Sequence, residues 1–381
     1  MRRATPLSFI VTLLAFAALG APAAFAHSGY SPVVGHVYVN DNTAGSNAVA
    51  AFARHADGSL SSVPGSPFAT GGAGNGTGTG SQGALQESAS GHYLLAVDAG
   101  SNQISVLRIA PDGSLRQVPG GTVPAGGAEP VSIAVHRHLV YVANDGAGAS
   151  NYTGFVFWGG HLFPLPGSTY ALPDTAQPGD VLFNATGTLL AGTRVGTSQI
   201  DSFAVSRDGR LRPAAGSPFS AQGVGPFGSE FRPTNPNQLF VSNAHGGPGA
   251  GTVSAFRVAS DGTLSSIGAS PFADDQTAPC WVEISHDGRF LFTVNTAVPS
   301  ISRYAISPGG ALTLLGSTPF SGGASGPFDA RLSPDGDTLW VVDDASAQVS
   351  AFRVDGGNLT ELPSSPTALP TGATPFGIVV N

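Results

Sequence analysis

One pattern recurs seven times along the chain and restricts its fold more than any other feature. A glycine-centred turn followed two residues later by leucine stands at Asp57-Gly58, Asp112-Gly113, Gly159-Gly160, Asp208-Gly209, Asp261-Gly262, Gly309-Gly310 and Gly356-Gly357. Each turn closes a strand-like run anchored by Phe52, Val106, Phe155, Phe203, Phe256, Tyr304 or Phe352. Successive turns lie 55, 47, 49, 53, 48 and 47 residues apart. The clearest copy, Gly326 to Pro366, reads as four short strands: Phe328 to Leu332, Leu339 to Val342, Val349 to Val354 and Leu359 to Leu362. Ser333-Pro334-Asp335-Gly336 and Gly356-Gly357 make its turns, because glycine accepts φ > 0 and proline presets φ at about −65°. A sheet of four short strands cannot bury its own faces, so such units are stable only when copies stack. Four-stranded repeats of this length are propeller blades. The chain is predicted to be all-β, a seven-bladed β-propeller of four-stranded antiparallel blades.

The template places six whole blades at 84–124, 130–172, 178–220, 226–272, 279–320 and 327–368. The seventh is split. Thr374-Pro375-Phe376-Gly377-Ile378-Val379-Val380 copies the first strand of a repeat, whereas the N-terminal region begins with what should be a second strand, His36-Val37-Tyr38-Val39-Asn40. The C-terminal strand is therefore expected to complete the N-terminal blade, joining 36–68 to 375–381 and leaving no open edge. Gly71 to Gly83 is an irregular Gly/Ser/Thr-rich insert. Within it, Gly78-Thr79-Gly80-Ser81-Gln82-Gly83 formally matches a dinucleotide fingerprint, but no following helix or βαβ unit is visible, so it reads as a loop.

Residues 1–26 stand outside the repeats. Arg2 and Arg3 precede the apolar run Phe9 to Leu19, and Ala24-Phe25-Ala26 has the small-x-small form of a leader cleavage site. The expected product is a single propeller domain, 27–381, secreted or periplasmic, with no membrane span after cleavage. Loss of Arg2 and Arg3 would move the net charge from −8 to −10, and every basic residue is arginine. An acidic chain without a basic run is a poor nucleic-acid binder. The single cysteine, Cys280, rules out an internal disulfide, a c-type haem and a multi-cysteine zinc site; it reads as a buried small hydrophobe. No cofactor and no metal are expected, and the chain is expected to be a monomer.

Propeller ligands commonly sit at the channel mouth where the innermost strands begin. Here those strands align on Pro130, Pro178, Pro226, Pro279, Pro327 and Pro375. Third and fifth residues after each proline are mostly apolar and are assigned to the packing between blades. Second and fourth residues are mostly polar: Ser132, Asp180, Glu230, Trp281, Glu283, Asp329 and Arg331. Glu230, Asp329, Arg331 and Asp180 are candidates for acid/base work. Trp281, Glu283, Ser132 and the loop residue His245 are candidates for ligand binding. The bland alternative is that Arg331 pairs with a neighbouring carboxylate while the others bond backbone amides. His136-Arg137-His138 occupies a tight-turn position and reads as exposed rather than chelating. Asp274-Asp275 and Asp343-Asp344 lack the ligand count that calcium needs.

Ser333-Pro334-Asp335-Gly336 with Leu-x-Val-x-Asp, together with Tyr141-Val142-Ala143-Asn144 and Phe292-Thr293-Val294-Asn295, resembles the YVTN-type repeat. Over residues 36–381 the pattern resembles the lactonase-type seven-bladed propellers, which include 6-phosphogluconolactonases and carboxymuconate cyclases. That resemblance implies a lactone-directed acid/base site, but the residues at its positions differ. Pro130-Val131-Ser132 stands where the family carries Pro-His-Ser, and Asn151-Tyr152 where it carries Asp-Arg. Gly225-Pro226-Phe227-Gly228 replaces Gly-Pro-Arg-His, and Ala244 replaces a glutamate. The leading expectation is thus an exported scaffold that binds a small molecule, glycan or protein partner at a propeller face. The rival is a lactone hydrolase or cyclase with a rearranged acid/base set.

Overall fold

The computed structural model describes residues 31–323 and 326–381, together with Met1. The leader expected over residues 1–26 falls outside the described residues. Among them, the strands form seven antiparallel sheets, and the helical content is one 3-10 turn, Ala99–Ser101. Blades are numbered 1 to 7 from the N-terminal, split one. Inner strands Leu85–Glu87, Pro130–His136, Pro178–Phe183, Pro226–Phe231, Pro279–Ile284 and Pro327–Leu332 belong to blades 2 to 7 and surround a central channel.

Closure follows the expectation. Ile378–Val380 is the inner strand of blade 1, with Val37 opposite Val380 and Val39 opposite Ile378. The His36 and Asn381 amides donate to one another's carbonyls, each at 3.0 Å. Phe376 and Ile378 are fully buried. One apolar cluster joins Val37, Val39 and Phe52 of blade 1 to Trp340, Val342 and Val349 of blade 7 through Ile378 and Val380. Burial of this seam, at roughly 25 cal/mol per Å² of apolar surface, holds the first and last blades together.

The outer strands differ from the four-strand template. In six blades the outer strand is broken in two, as at Leu60–Ser62 and Phe68–Ala69 in blade 1, and both pieces pair with the third strand. A serine at the break accepts a third-strand amide hydrogen: Ser66 from Ala51 (2.8 Å), Ser217 from Ser202 (3.0 Å), Ser270 from Ala255 (2.7 Å) and Ser365 from Ala351 (3.1 Å). The hydroxyl replaces the ladder partner that the break removes, so no buried donor is left open there. Blade 6 keeps one continuous outer strand, Leu312–Pro319.

Candidate functional site

The two ends of the channel are built differently. At the end where the inner strands begin, Phe227, Trp281, Phe328 and Phe376 form an arc of rings with centroids 5.5, 4.7 and 4.6 Å apart. Each stands one or two residues after its blade's proline, so the repeat itself places them on one level. Gly78 and Gly80 of the insert pass over Phe376 and Phe227.

Below this arc the insert crosses the channel. The Ser81 hydroxyl donates to the Val131 carbonyl (2.7 Å), and the Ser81 carbonyl accepts the Trp281 indole N–H (3.1 Å). The Gln82 amide bonds the Gly179 carbonyl at 2.9 Å. The Gln82 side chain donates to the carbonyls of Ser229 (3.1 Å) and Val282 (3.3 Å) and accepts from the Val282 amide (3.1 Å). The Gly83 amide donates to Asp329 Oδ2 (3.2 Å), and the Gly83 carbonyl accepts the Ile133 amide (3.0 Å). Three consecutive residues thus bond blades 3 to 7. Gly228 makes room for them: a Cβ there would collide with Gln82 Oε1 and the Cys280 carbonyl. The insert leads directly into the strand Leu85–Glu87, not into a helix, which removes the structural context a dinucleotide loop needs.

On the far side of Gln82 lies a well of about 180 Å³, directed toward the ends of the inner strands and lined by Gln82, Gln86, Asp180, Ser229, Glu230 and Arg331 among others. Four carboxyls and one guanidinium meet around it. Asp180 accepts from the Ser229 hydroxyl (2.7 Å), the Ser229 amide (3.0 Å) and the Ser132 hydroxyl (3.3 Å). Glu283 takes the Leu332 amide at 2.8 Å and one Arg331 nitrogen at 3.2 Å. Glu230 Oε2 is buried without a hydrogen-bond partner among the described residues. Burial pushes Asp180 up to about 7 and Asp329 up to about 6, with the Ser229 donors opposing the first shift and Arg331 the second. Burial, with the nearby Glu283 charge, drives Glu230 well above the carboxylate range. Burial also raises Glu283, against the pull of Arg331. Burial works against the Arg331 charge, but Glu283, Asp329, Glu230 and Asp180 together hold the guanidinium above its ordinary range. The well therefore carries protons near neutral pH, and these are carboxyls able to exchange one.

The sequence candidates divide between the two ends. Asp180, Glu230 and Arg331 line the well, Glu283 and Asp329 bond its walls and floor, and Ser132 holds Asp180. Trp281, with only 1% of its surface exposed, is packed into the sealed end, and His245 is exposed outside it against Phe227. Sequence reasoning read Ser81, Gln82 and Gly83 only as part of a loop and did not single out Gln86. The buried, two-pronged Arg194–Asp201 pair was also missed; both contacts are 2.6 Å, and the Tyr152 hydroxyl donates to Asp201 at 3.1 Å. Asp274 accepts from the Thr293 and Tyr304 hydroxyls and Asp343 from that of Ser350, while the second oxygen of each is buried without a partner among the described residues. Burial pushes the Cys280 thiol up to about 12, which keeps it unreactive.

Val131, Phe227 and Ala244 are buried, and Asn151 bonds Asn144. Residues 173–374 match the family model described as "Lactonase, 7-bladed beta-propeller". The chain belongs to that family. Similar solved structures agree on the fold. A candidate 6-phosphogluconolactonase from Bacteroides uniformis is 20% identical, with a TM-score of 0.72, over 91% of this chain and 99% of that one. The periplasmic gluconolactonase of Pseudomonas aeruginosa is 17% identical, with a TM-score of 0.70, over 91% and 98%. A Lactobacillus plantarum protein is 18% identical, with a TM-score of 0.71, over 91% and 99%. No curated protein matches at the sequence level.

Proposed function

We propose that this lactonase-family propeller is an exported binding protein that holds a small, uncharged, hydroxyl-rich ligand of the sugar-lactone type in the acidic well. The observation that carries the reading is the plug. Ser81, Gln82 and Gly83 fill the channel where the resemblance puts the family's chemistry, and apolar residues stand at Val131, Phe227 and Ala244. The well that remains offers carboxyl acceptors, partly protonated carboxyl donors and one arginine to a ligand with many hydroxyls. Four carboxyls against one guanidinium disfavour a phosphorylated ligand, whose charge they would repel. The name of the Pseudomonas structure suggests the ligand class. Calorimetry with glucono-δ-lactone and with gluconate, beside a hydrolysis assay on the same lactone, tests the reading. It expects saturable lactone binding, weaker binding of the acid, and no turnover above the uncatalysed rate.

A second reading rests on Glu230. A carboxyl with a buried, unpartnered oxygen beside an arginine is the arrangement a water-activating base requires. In that case Glu230, once ionised, accepts the proton of water and Arg331 steadies the developing carboxylate. Lactone turnover that disappears in both Glu230→Gln and Arg331→Ala would place this reading first.

A further inference from the structure

Blade 3 departs from its siblings on the face where the first and second strands turn. At equivalent places in the third and outer strands, other blades carry Arg108 opposite Arg116, Ala204 opposite Arg212, Arg257 opposite Ser265 and Arg353 opposite Thr360. Blade 3 carries Val156 opposite Phe163, and Trp158 beside the turn. These are exposed to 37%, 53% and 66%, whereas Trp281 and Trp340 are each exposed to 1%. Nothing in the packing of the blade calls for apolar groups there. Exposed aromatic area of this kind marks a contact surface.

The surface borders a groove of about 550 Å³ between blades 2 and 3. Tyr93, Phe157 and Trp158 line one part, with Tyr93 set edge-on to Phe157 and His138 5.2 Å from the Trp158 ring. Ser88, Ser90 and Arg137 supply polar groups. Arg137 is exposed at the tip of the His136–Leu139 turn, with φ of 55°, and makes no ion pair among the described residues. No carboxylate lines the groove, although acidic residues outnumber basic ones, 24 to 16.

We propose that this groove binds an acidic saccharide, a uronate unit stacking on Trp158 with its carboxylate on Arg137. The flat, CH-bearing face of a sugar ring suits an exposed indole, which is large, stiff and amphipathic. Hydroxyl groups find donors and acceptors at Ser88, Ser90, Tyr93 and His138. A planar carboxylate matches the guanidinium fork. Charge complementarity decides between saccharides: an unpaired arginine in a carboxylate-free groove favours an anionic unit over a neutral one. One arginine on so acidic a protein is too little to hold a phosphate polymer. The site is separate from the central well and does not depend on what the well binds.

Trp158 is the one exposed indole among three, so tryptophan emission reads this groove directly. Full-length mature protein titrated with tri-galacturonate should show a saturable shift in emission. By calorimetry, which does not depend on the indole, affinity should weaken about tenfold in Arg137→Gln, fall below detection in Trp158→Ala, and decline with salt. Maltotriose should bind at least about tenfold more weakly than the uronate. Circular dichroism and melting temperature of both variants should match the parent. The proposal is overturned by a flat titration with folded protein, by equal binding of the two trisaccharides, or by affinity unchanged in Arg137→Gln. It is also overturned if the parent self-associates and Trp158→Ala abolishes that association, because the patch is then the seat of a second copy.

Discussion

The two ends of the same channel obey opposite rules. Where the inner strands begin, Ser81, Gln82 and Gly83 of the insert meet fixed partners in five blades, and four aromatic rings close over them. Toward the strand ends, charges gather without enough counter-charge, and one glutamate oxygen has no partner among the described residues. The first arrangement contributes stability, since satisfied hydrogen bonds and packed rings both favour the folded state. The second costs stability and retains groups that can exchange protons or accept hydroxyls. A ring of repeats tolerates a destabilised end because the other end and the blade seams hold it together.

The largest effect should come from removing the strand that serves both the ring and the sealed end. A chain ended at Thr374 loses Phe376 from the arc and the Ile378–Val380 pairing. Several hydrogen bonds at ~1 kcal/mol each and two large aliphatic side chains at ~1.5–3 kcal/mol each approach the whole net stability of ~5–15 kcal/mol. The product should aggregate or melt far below the parent. A soluble monomer with an unchanged melting temperature would contradict the closure. Trp281→Ala should cost about 3–5 kcal/mol, measured by urea unfolding, by emptying the centre of the arc. Gln82→Ala should cost less, about 1–3 kcal/mol, chiefly because the buried Val282 amide loses its acceptor. Equal stability of Gln82→Ala and parent would show that the crossing is decorative.

At the other end the expected effect is one of pH. Asp180 and Asp329 bind protons in the folded protein up to about 7 and about 6, whereas in the unfolded chain they release them at about 4. The folded state therefore holds more protons between about pH 4 and pH 7, and stability falls as pH rises through that window. Melting temperature should be highest near pH 4 and lower by a few degrees at pH 8. Asp180→Asn should flatten the decline. A melting temperature that instead climbs from pH 5 to pH 8 would mean that these carboxyls are paired rather than crowded.

The blades could be read from the sequence because their signals are local. Turn glycines at fixed offsets and period-2 runs set the strands of the clearest copy within a residue or two: Leu359 to Leu362 was expected, and Asn358–Glu361 is found. The seam between Val37 and Val380 was legible because both ends carry the same repeat. The plug was not, because Ser81, Gln82 and Gly83 find their partners in five different blades and no spacing encodes that. Its one trace is Gly228, a glycine where other blades mostly carry a polar or aromatic residue. The polar residues of the inner strands were visible as candidates. Their division between a sealed end and an open well depends on where the insert crosses, so Trp281 and Glu230 looked alike in sequence and differ in place.

Amide hydrogen exchange over residues 78–83 tests the central claim most directly. If the insert seals the channel, the Gln82 amide, bonded to Gly179, and the Gly83 amide, bonded to Asp329, should exchange as slowly as the inner strands Pro178–Phe183 and Pro327–Leu332. Exchange of these two amides at the rate of an exposed glycine-rich loop would mean that the channel is open at both ends and that the difference between them does not exist in solution.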